Sequence, residues 1–211
     1  MADGLVLWAA PGACSRISLT ALLHCGQAFR LAGVTLARGE QLRPDYLALN
    51  PKGKVPLLQT PHGPLTETLA IVCWLDEQHP LAGLLPRAGW PRAQALSWLA
   101  FVNAGLHPLL YRARMPQRIH ADTGAHAGVR EAALAELQAQ LQVAEDTLAD
   151  GRAWLMGPHW CIADEALGWL WTRALQSGLA PGPFAAVAAL ADRLAAQPTH
   201  QDALRAEAAL H

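Results

Sequence analysis

The feature of this sequence that most limits its fold is a change of hydrophobic pattern near residue 80. Before this point, short apolar runs alternate with turn residues, as strands and short helices do. After residue 90, apolar residues recur every three or four positions, which is the spacing of helices that bury one face. The longest such series is Leu134, Leu137, Leu141, Ala144 and Leu148. The sequence therefore predicts a small α/β domain followed by an all-helical domain.

The first part of the chain predicts four strands and three helices. The strands are Leu5–Ala9, Phe29–Ala37, Val55–Thr60 and Pro64–Thr66; the helices are Ser15–His24, Pro44–Leu49 and a third that ends before His79. A helix between the first two strands indicates a parallel crossover, and a short turn between the last two indicates a hairpin. The order β-α-β-α-β-β-α is thioredoxin-like. We assign residues 1–80 to this domain, 81–90 to a linker and 91–211 to the helical domain.

Composition excludes several classes of protein. With 52% apolar and 16% charged residues, the chain is not expected to be disordered. The balance of 16 basic and 17 acidic residues gives no reason to expect a nucleic-acid partner. No apolar run is long enough for a membrane span, and neither the cysteines nor the histidines show metal-ligand spacing. We expect a soluble cytoplasmic protein with no metal and no membrane partner.

The segment Pro11-Gly12-Ala13-Cys14-Ser15 joins the first strand to the first helix. Side chains at a helix N-terminus lie near unpaired N–H groups and the positive end of the helix dipole. This position predicts a lowered pKa for the Cys14 thiol. It also allows the Ser15 hydroxyl to donate a hydrogen bond to a ligand thiolate. From these residues alone, a packing cysteine and an ordinary N-cap serine are equally good interpretations.

Two further segments of the first domain suggest a peptide-binding site. A cis bond at Val55-Pro56 would leave the Val55 N–H and C=O free to pair with an extended peptide. At the start of the third helix, backbone N–H groups and the Thr68 hydroxyl can hold a carboxylate, while Glu67 can pair with an ammonium. Each segment alone also occurs without any ligand. Taken in this order, the segments could stabilise a thiolate, pair with a peptide backbone and bind a zwitterion. Together they predict a glutathione site.

Four strings in the sequence carry a family resemblance. They are PGACS, DYLALNPKGKVPLL, LTETLAIVCWLDEQHP and, near the end, QPTHQDALRAE. Over nearly the whole chain, they resemble the glutathione S-transferase family, and the beta class of bacteria in particular. The resemblance implies a homodimer that uses glutathione as co-substrate and needs no further cofactor. It also implies a small hydrophobic electrophile as the second substrate.

The resemblance implies roles for individual residues. Cys14 matches the beta-class cysteine that can form a mixed disulfide with glutathione, and Ser15 is the neighbouring hydroxyl. His107 matches the histidine that faces the sulfur. The glutathione-binding residues would be Val55, cis-Pro56, Glu67, Thr68, Lys54 and, as a substitute for a lysine of relatives, Arg38. The electrophile would enter a cleft between the domains, lined partly by Leu110 and Tyr111.

Several positions depart from the family pattern. Ala9 stands where many members carry the first-strand tyrosine, so activation of the thiol by that tyrosine is excluded. Pro108 follows the histidine where beta-class members often have lysine, and it is expected to kink the helix. In CIADEALGWLW, Asp164 would buttress a helix start, with Cys161 in place of the usual hydroxyl residue.

The leading hypothesis is a transferase that conjugates the glutathione thiolate to small hydrophobic electrophiles. A second hypothesis is glutathione-dependent thiol–disulfide exchange through Cys14. A third is a non-catalytic binding or regulatory protein on the same fold, because a fold does not fix a function. Retention of Cys14, Ser15, Glu67 and Thr68 argues against the third hypothesis, whereas Ala9 and Pro108 leave it open.

Overall fold

A computed structural model describes residues 4–210 of the chain. Its sheet has four strands, β1 (Leu5–Ala9), β2 (Phe29–Gly33), β3 (Leu57–Thr60) and β4 (Gly63–Thr66). They lie side by side in the order β2-β1-β3-β4. The first strand runs parallel to β2 and antiparallel to β3, and β3 and β4 form a hairpin. The predicted crossover and hairpin are both confirmed.

Nine helices account for most of the remaining described residues. They are α1 (Ser15–His24), α2 (Pro44–Leu49), α3 (Thr68–Gln78), α4 (Gly89–Ala100), α5 (His107–Arg114), α6 (His126–Leu148), α7 (Ile162–Leu175), α8 (Ala185–Ala195) and α9 (Pro198–Ala208). Between residues 88 and 210, the only strand-like pairing is an isolated bridge between Trp154 and Gly157. The predicted thioredoxin-like region followed by helices is therefore confirmed. None of the described helices combines the length and the apolar character needed to cross a bilayer.

Two strands are shorter than the sequence predicts. The second was expected to reach Ala37 but ends at Gly33. Beyond it, the Thr35 N–H donates to Glu40 Oε2 at 2.7 Å, and the chain turns into a 3₁₀ helix. The third was expected from Val55 but starts at Leu57. The reason is that Pro56 has no N–H to donate to a neighbouring strand.

The last helix belongs to the first of two compact units. One unit comprises the described residues up to Arg87 together with those from Ala196 onward, and the other comprises Ala88–Ala195. The sequence analysis instead grouped α9 with the other helices. In the structure, Arg16 of α1 donates from Nε and Nη2 to Glu207 Oε2, at 3.0 and 2.5 Å. Both side chains are more than nine-tenths buried, so this ion pair fastens α9 to α1.

We expect loss of one partner of this ion pair to be costly. Glu207→Ala would leave the Arg16 guanidinium buried without a carboxylate, at a cost of about 3–5 kcal/mol in unfolding free energy. The double variant Arg16→Met/Glu207→Leu should recover most of this loss, because it removes both charges and keeps apolar volume. Guanidinium chloride unfolding of the three proteins measures both effects. A loss below about 1 kcal/mol in Glu207→Ala would contradict the expectation.

The start of α7 is held by a buried carboxylate. Asp164 Oδ1 accepts from the Leu155 N–H at 2.7 Å, and Oδ2 accepts from the Cys161 N–H at 2.9 Å. The side chain is fully buried, and burial raises the pKa of Asp164 to about 6. Cys161 takes the N-cap position, and the two residues form a capping box. The predicted buttressing role of Asp164 is confirmed.

Asp164→Ala should destabilise the helical unit. Two backbone N–H groups would lose their acceptor inside the protein, at about 1–3 kcal/mol each, so we expect a loss of about 2–5 kcal/mol. Asp192→Ala is a matched control, since Asp192 is an exposed aspartate of α8. The control should stay within about 0.5 kcal/mol of the original protein in the same thermal or denaturant unfolding experiment. Equal losses in the two variants would refute the capping role.

Candidate active site

The three segments singled out in the first domain meet around Cys14. This residue takes the N-cap position of α1, directly after the loop that leaves β1. Its Sγ lies 3.7 Å from the Val55 carbonyl oxygen, to which it donates, and it also shares a hydrogen bond with the Thr68 side chain. Residues from three distant parts of the sequence therefore surround one sulfur atom. The sequence could not predict the distances between these residues, because the distances depend on the fold.

The protonation state of Cys14 differs from the sequence prediction. Although the residue is only half-buried by surface area, protein atoms crowd its thiol, and this burial raises the pKa to about 11. A backbone N–H, the Thr68 hydroxyl and the Lys54 ammonium lower the pKa by smaller amounts, and the Glu67 carboxylate raises it. The prediction of a lowered pKa is therefore wrong for the structure as it stands. Desolvation outweighs the stabilising groups at the helix N-terminus.

Ser15 lies beside Cys14 but points into the protein. Its side chain is fully buried. The hydroxyl oxygen accepts from the Ala10 N–H at 3.1 Å, and the hydroxyl donates to the Ala10 carbonyl at 3.4 Å. Ser15 thus closes the loop between β1 and α1. The structure does not present this hydroxyl to a ligand sulfur, as the sequence hypothesis required.

The Val55-Pro56 peptide bond is cis, as the sequence hypothesis supposed. The turn before it is fixed by two side chains that both donate to the Lys54 carbonyl. The Tyr46 hydroxyl lies 2.6 Å from this oxygen, and Asn50 Nδ2 lies 2.7 Å from it. Sequence reasoning did not assign either residue a part in the site. Asn50 opens the turn string Asn-Pro-Lys-Gly, which is a signal that could have found it.

The same turn requires glycine at position 53. Gly53 has a φ of +59°, which favours glycine. A Cβ atom there would also lie 3.0 Å from Leu42 Cδ2 and 3.2 Å from the Gln41 carbonyl oxygen. The turn is therefore closely packed as well as hydrogen-bonded. Its rigidity fixes where Val55 presents its backbone.

Glu67 takes the N-cap position of α3 in a strained conformation. It has φ 72° and ψ 122°, and it is the one non-glycine residue with positive φ among residues 4–210. Such strain persists only where surrounding structure holds it, and it is common at binding sites. The carboxylate is exposed, and its Oε1 lies 2.6 Å from Lys52 Nζ. Thr68, the next residue, is buried, with its hydroxyl engaged by Cys14.

The two further cations assigned to glutathione differ in placement. Lys54 lies close enough to Cys14 to act on the pKa of its thiol. Arg38 is exposed in the 3₁₀ turn Leu36–Arg38. There it helps to lower the pKa of Glu40, which is lowered mainly by the hydrogen bond from the Thr35 N–H. The structure thus places Lys54 near Cys14. Arg38 makes no described hydrogen bond or ion pair with Cys14, Val55 or Thr68.

The remaining predicted residues lie in the second unit. His107 opens α5 and is half-buried, with its ring edge-on to Trp169 at 5.0 Å between centroids. Tyr111 is exposed, and its hydroxyl accepts from Arg118 at 3.2 Å. Leu110 is only 1% exposed, so it offers a ligand no surface, in contrast to the lining role proposed for it.

A change of helix type precedes His107. Residues Phe101–Leu106 form a π-helical segment between α4 and α5. The chain is helical without a break from Gly89 to Arg114, so Pro108 lies inside this helix, directly after the π-helical segment. Its missing N–H removes one backbone hydrogen bond of the helix next to the π-helical turn.

Comparison with known proteins decides the family. The profile of the glutathione S-transferase N-terminal domain matches residues 12–78, which contain Cys14, Val55 and Glu67. The glutathione S-transferase GstA of Escherichia coli O157:H7 is 33% identical over 205 residues, covering 93% of this chain and 96% of that protein. The chain belongs to the glutathione S-transferase family. The predicted enzyme class, a glutathione transferase, is therefore confirmed.

Solved structures of the family agree with this assignment. A sphingomonad glutathione S-transferase in complex with glutathione has a TM-score of 0.84 and 30% identity, covering 97% of this chain and 99% of that one. A bacterial beta class glutathione S-transferase from Sphingomonas chungbukensis has a TM-score of 0.84 and 29% identity, covering 96% and 98%. The resemblance to beta-class members is thus confirmed at the level of the whole fold.

We expect Cys14 to react slowly with alkylating agents. With a pKa of about 11, against an ordinary value of 9.0, its thiolate fraction at pH 8 is about 100-fold lower than that of a free cysteine. Carbamidomethylation by iodoacetamide should accelerate about tenfold per pH unit between pH 7 and 9. Trypsin cleaves after Arg16, so mass spectrometry separates Cys14 from Cys25. The matched control is the unfolded chain in guanidinium chloride; equal rates in the two states would contradict the raised pKa.

Proposed function

We propose that the first unit binds glutathione around Cys14 and that the enzyme transfers the glutathione sulfur to a small hydrophobic electrophile. One observation supports this most strongly. The Cys14 thiol lies within hydrogen-bonding distance of both the Val55 carbonyl, which precedes cis-Pro56, and the Thr68 side chain at the start of α3. Glutathione has a sulfur, an extended backbone and a zwitterionic end in matching order.

In this proposal, each part of glutathione has its own protein partner. The cysteinyl backbone pairs with the N–H and C=O of Val55, as an added strand would. The ammonium of the γ-glutamyl group pairs with Glu67, and its carboxylate lies at the N-terminus of α3 next to Thr68. Lys54 and, at longer range, Arg38 attract the glycine carboxylate.

Catalysis then depends on holding the glutathione sulfur as a thiolate. The N-terminus of α1 stabilises the negative charge, and we assign His107 as the group that takes the thiol proton, directly or through water. The thiolate attacks the electrophilic carbon and forms a C–S bond. In a displacement, the leaving group departs with its bonding electrons. Ser15 is a positioning residue in this scheme, because its hydroxyl holds the loop at Ala10.

Thiol–disulfide exchange is the second candidate, and the position of Cys14 Sγ beside Val55 favours it. A mixed disulfide of glutathione with a substrate thiol, bound at Val55, would bring a sulfur close to Cys14. The Cys14 thiolate would attack the glutathione sulfur, release the substrate thiolate and form a Cys14–glutathione disulfide. A second glutathione thiolate would attack this disulfide, releasing glutathione disulfide and restoring the Cys14 thiolate. The raised pKa of Cys14 makes the first step slow at neutral pH. Conjugation is therefore the better supported activity.

We further propose that the enzyme is a cytoplasmic homodimer, as the family resemblance implies. Cys14, Cys25, Cys73 and Cys161 form no disulfide in the structure, which agrees with a reducing compartment. Light scattering after size-exclusion chromatography tests the dimer.

Calorimetry and a conjugation assay with chlorodinitrobenzene test the proposed function. Saturable glutathione binding at micromolar to low-millimolar affinity is expected for the reduced protein. His107→Ala should lower turnover by about 10²–10⁴-fold if it acts as the base. Cys14→Ala should abolish disulfide exchange while conjugation survives. Arg30→Met, an exposed cation of β2, is the matched control and should change neither assay.

Two outcomes would refute parts of this proposal. Absence of glutathione binding to the folded protein, with Cys14 unmodified, would remove the transferase proposal and favour the non-catalytic hypothesis. Unchanged turnover in both Ser15→Ala and His107→Ala would show that the assigned roles are wrong.

A further inference from the structure

Lys52 contacts the Glu67 carboxylate, which in the proposed function binds the ammonium of glutathione. Its Nζ lies 2.6 Å from Glu67 Oε1 and 2.9 Å from Thr66 Oγ1. The structure thus places the charge of Lys52 at one end of the proposed binding site.

The backbone of Lys52 is fixed although its side chain is exposed. The Lys52 N–H donates to Asn50 Oδ1 at 3.1 Å, and the Gly53 N–H donates to the Asn50 carbonyl at 3.0 Å. Asn50 also holds the Lys54 carbonyl through Nδ2. The lysine therefore extends from a rigid turn, and its flexible end can move while its base stays in place.

The ion pair between Lys52 and Glu67 is one that a ligand can exchange. The two side chains are 52% and 66% exposed, so water and salt screen the pair and it contributes little to folding. The γ-glutamyl ammonium needs the same carboxylate. Two ammonium groups on one carboxylate repel each other, which favours movement of the lysine when the ligand binds.

The chemistry of the ligand supplies the new partner for the lysine. In a γ-glutamyl group, the α-carboxylate and the ammonium are attached to the same carbon atom. An ammonium bound to Glu67 therefore brings a carboxylate to the position from which Lys52 is displaced. Thr68, the side chain expected to hold this carboxylate, is buried and bonded to Cys14. Lys52 is the exposed cation beside Glu67 that can take over this role.

We propose that Lys52 recognises the α-carboxylate of the γ-glutamyl group by exchanging partners with the ligand. Glu67 passes from the Lys52 ammonium to the ligand ammonium, and Lys52 passes from Glu67 to the ligand carboxylate. This inference rests on the proposed glutathione site and adds a specificity determinant to it. The pair of residues selects a zwitterion, because each charge of the ligand replaces one charge of the protein.

The test compares two ligands by calorimetry. One is glutathione, and the other is γ-aminobutyryl-cysteinylglycine, which keeps the ammonium but lacks the α-carboxylate. Lys52→Met should weaken glutathione binding about fivefold, the size expected for an exposed ion pair, and should leave the analogue within about twofold. Lys52→Arg should restore binding of glutathione. Arg30→Met is again the control, and circular dichroism confirms that each variant is folded.

Each other result has a definite meaning. Tighter glutathione binding by Lys52→Met would make Lys52 a competitor of the ligand and overturn the inference. Equal weakening for both ligands, or equal weakening by Arg30→Met, would overturn it in favour of general charge attraction. Glutathione binding by Lys52→Met that equals that of the unmodified protein would overturn the inference alone. No binding by the unmodified protein would overturn the proposed function as well.

Discussion

The antiparallel pairing of β1 with β3 is the contact on which the candidate site depends. Its register places Val6 opposite Gln59 and Trp8 opposite Leu57. The chain leaves β1 towards Cys14 at the same end of the pair at which it enters β3 from Val55. The sulfur and the Val55 carbonyl are therefore neighbours, at 3.7 Å. A shift of one residue would turn every side chain of a strand to the other face and would also change which residues lie at this end.

Around this contact, the site divides into two parts. The buried part holds a neutral thiol, and the exposed part holds an ion pair. Burial keeps the Cys14 thiol neutral by raising its pKa to about 11, and Ser15 is fully buried with its hydroxyl bonded to backbone. Glu67 and Lys52 instead form an ion pair in contact with water. Rigid backbone connects the two parts, through the hydrogen bonds of Asn50 and Tyr46 to the Lys54 carbonyl. This arrangement suits a ligand with a sulfur at its centre and charges at its ends.

The element order and most of the candidate residues could be predicted because they depend on local patterns. Apolar periodicity predicted both ends of β1 and α1 correctly, and the segment at Glu67 indicated the start of α3. The lowered pKa of Cys14 was wrong, since a helix N-terminus is a local feature whereas desolvation depends on everything packed around the thiol. The buried state of Leu110 and the partner of Lys52 were likewise invisible, because each depends on residues distant in sequence or on side-chain direction.

Local sequence patterns specify an α/β region followed by helices, because hydrophobic period and turn residues act over a few positions. The sequence also specifies which chemical groups are available for a glutathione site. Which of those groups meet, which are buried and which are already paired depends on contacts between residues that are distant in the chain. The grouping of α9 with the first unit, through Arg16 and Glu207, shows the same division. Residues 198–208 form a helix in the structure, and the ion pair that holds this helix joins residues 191 positions apart.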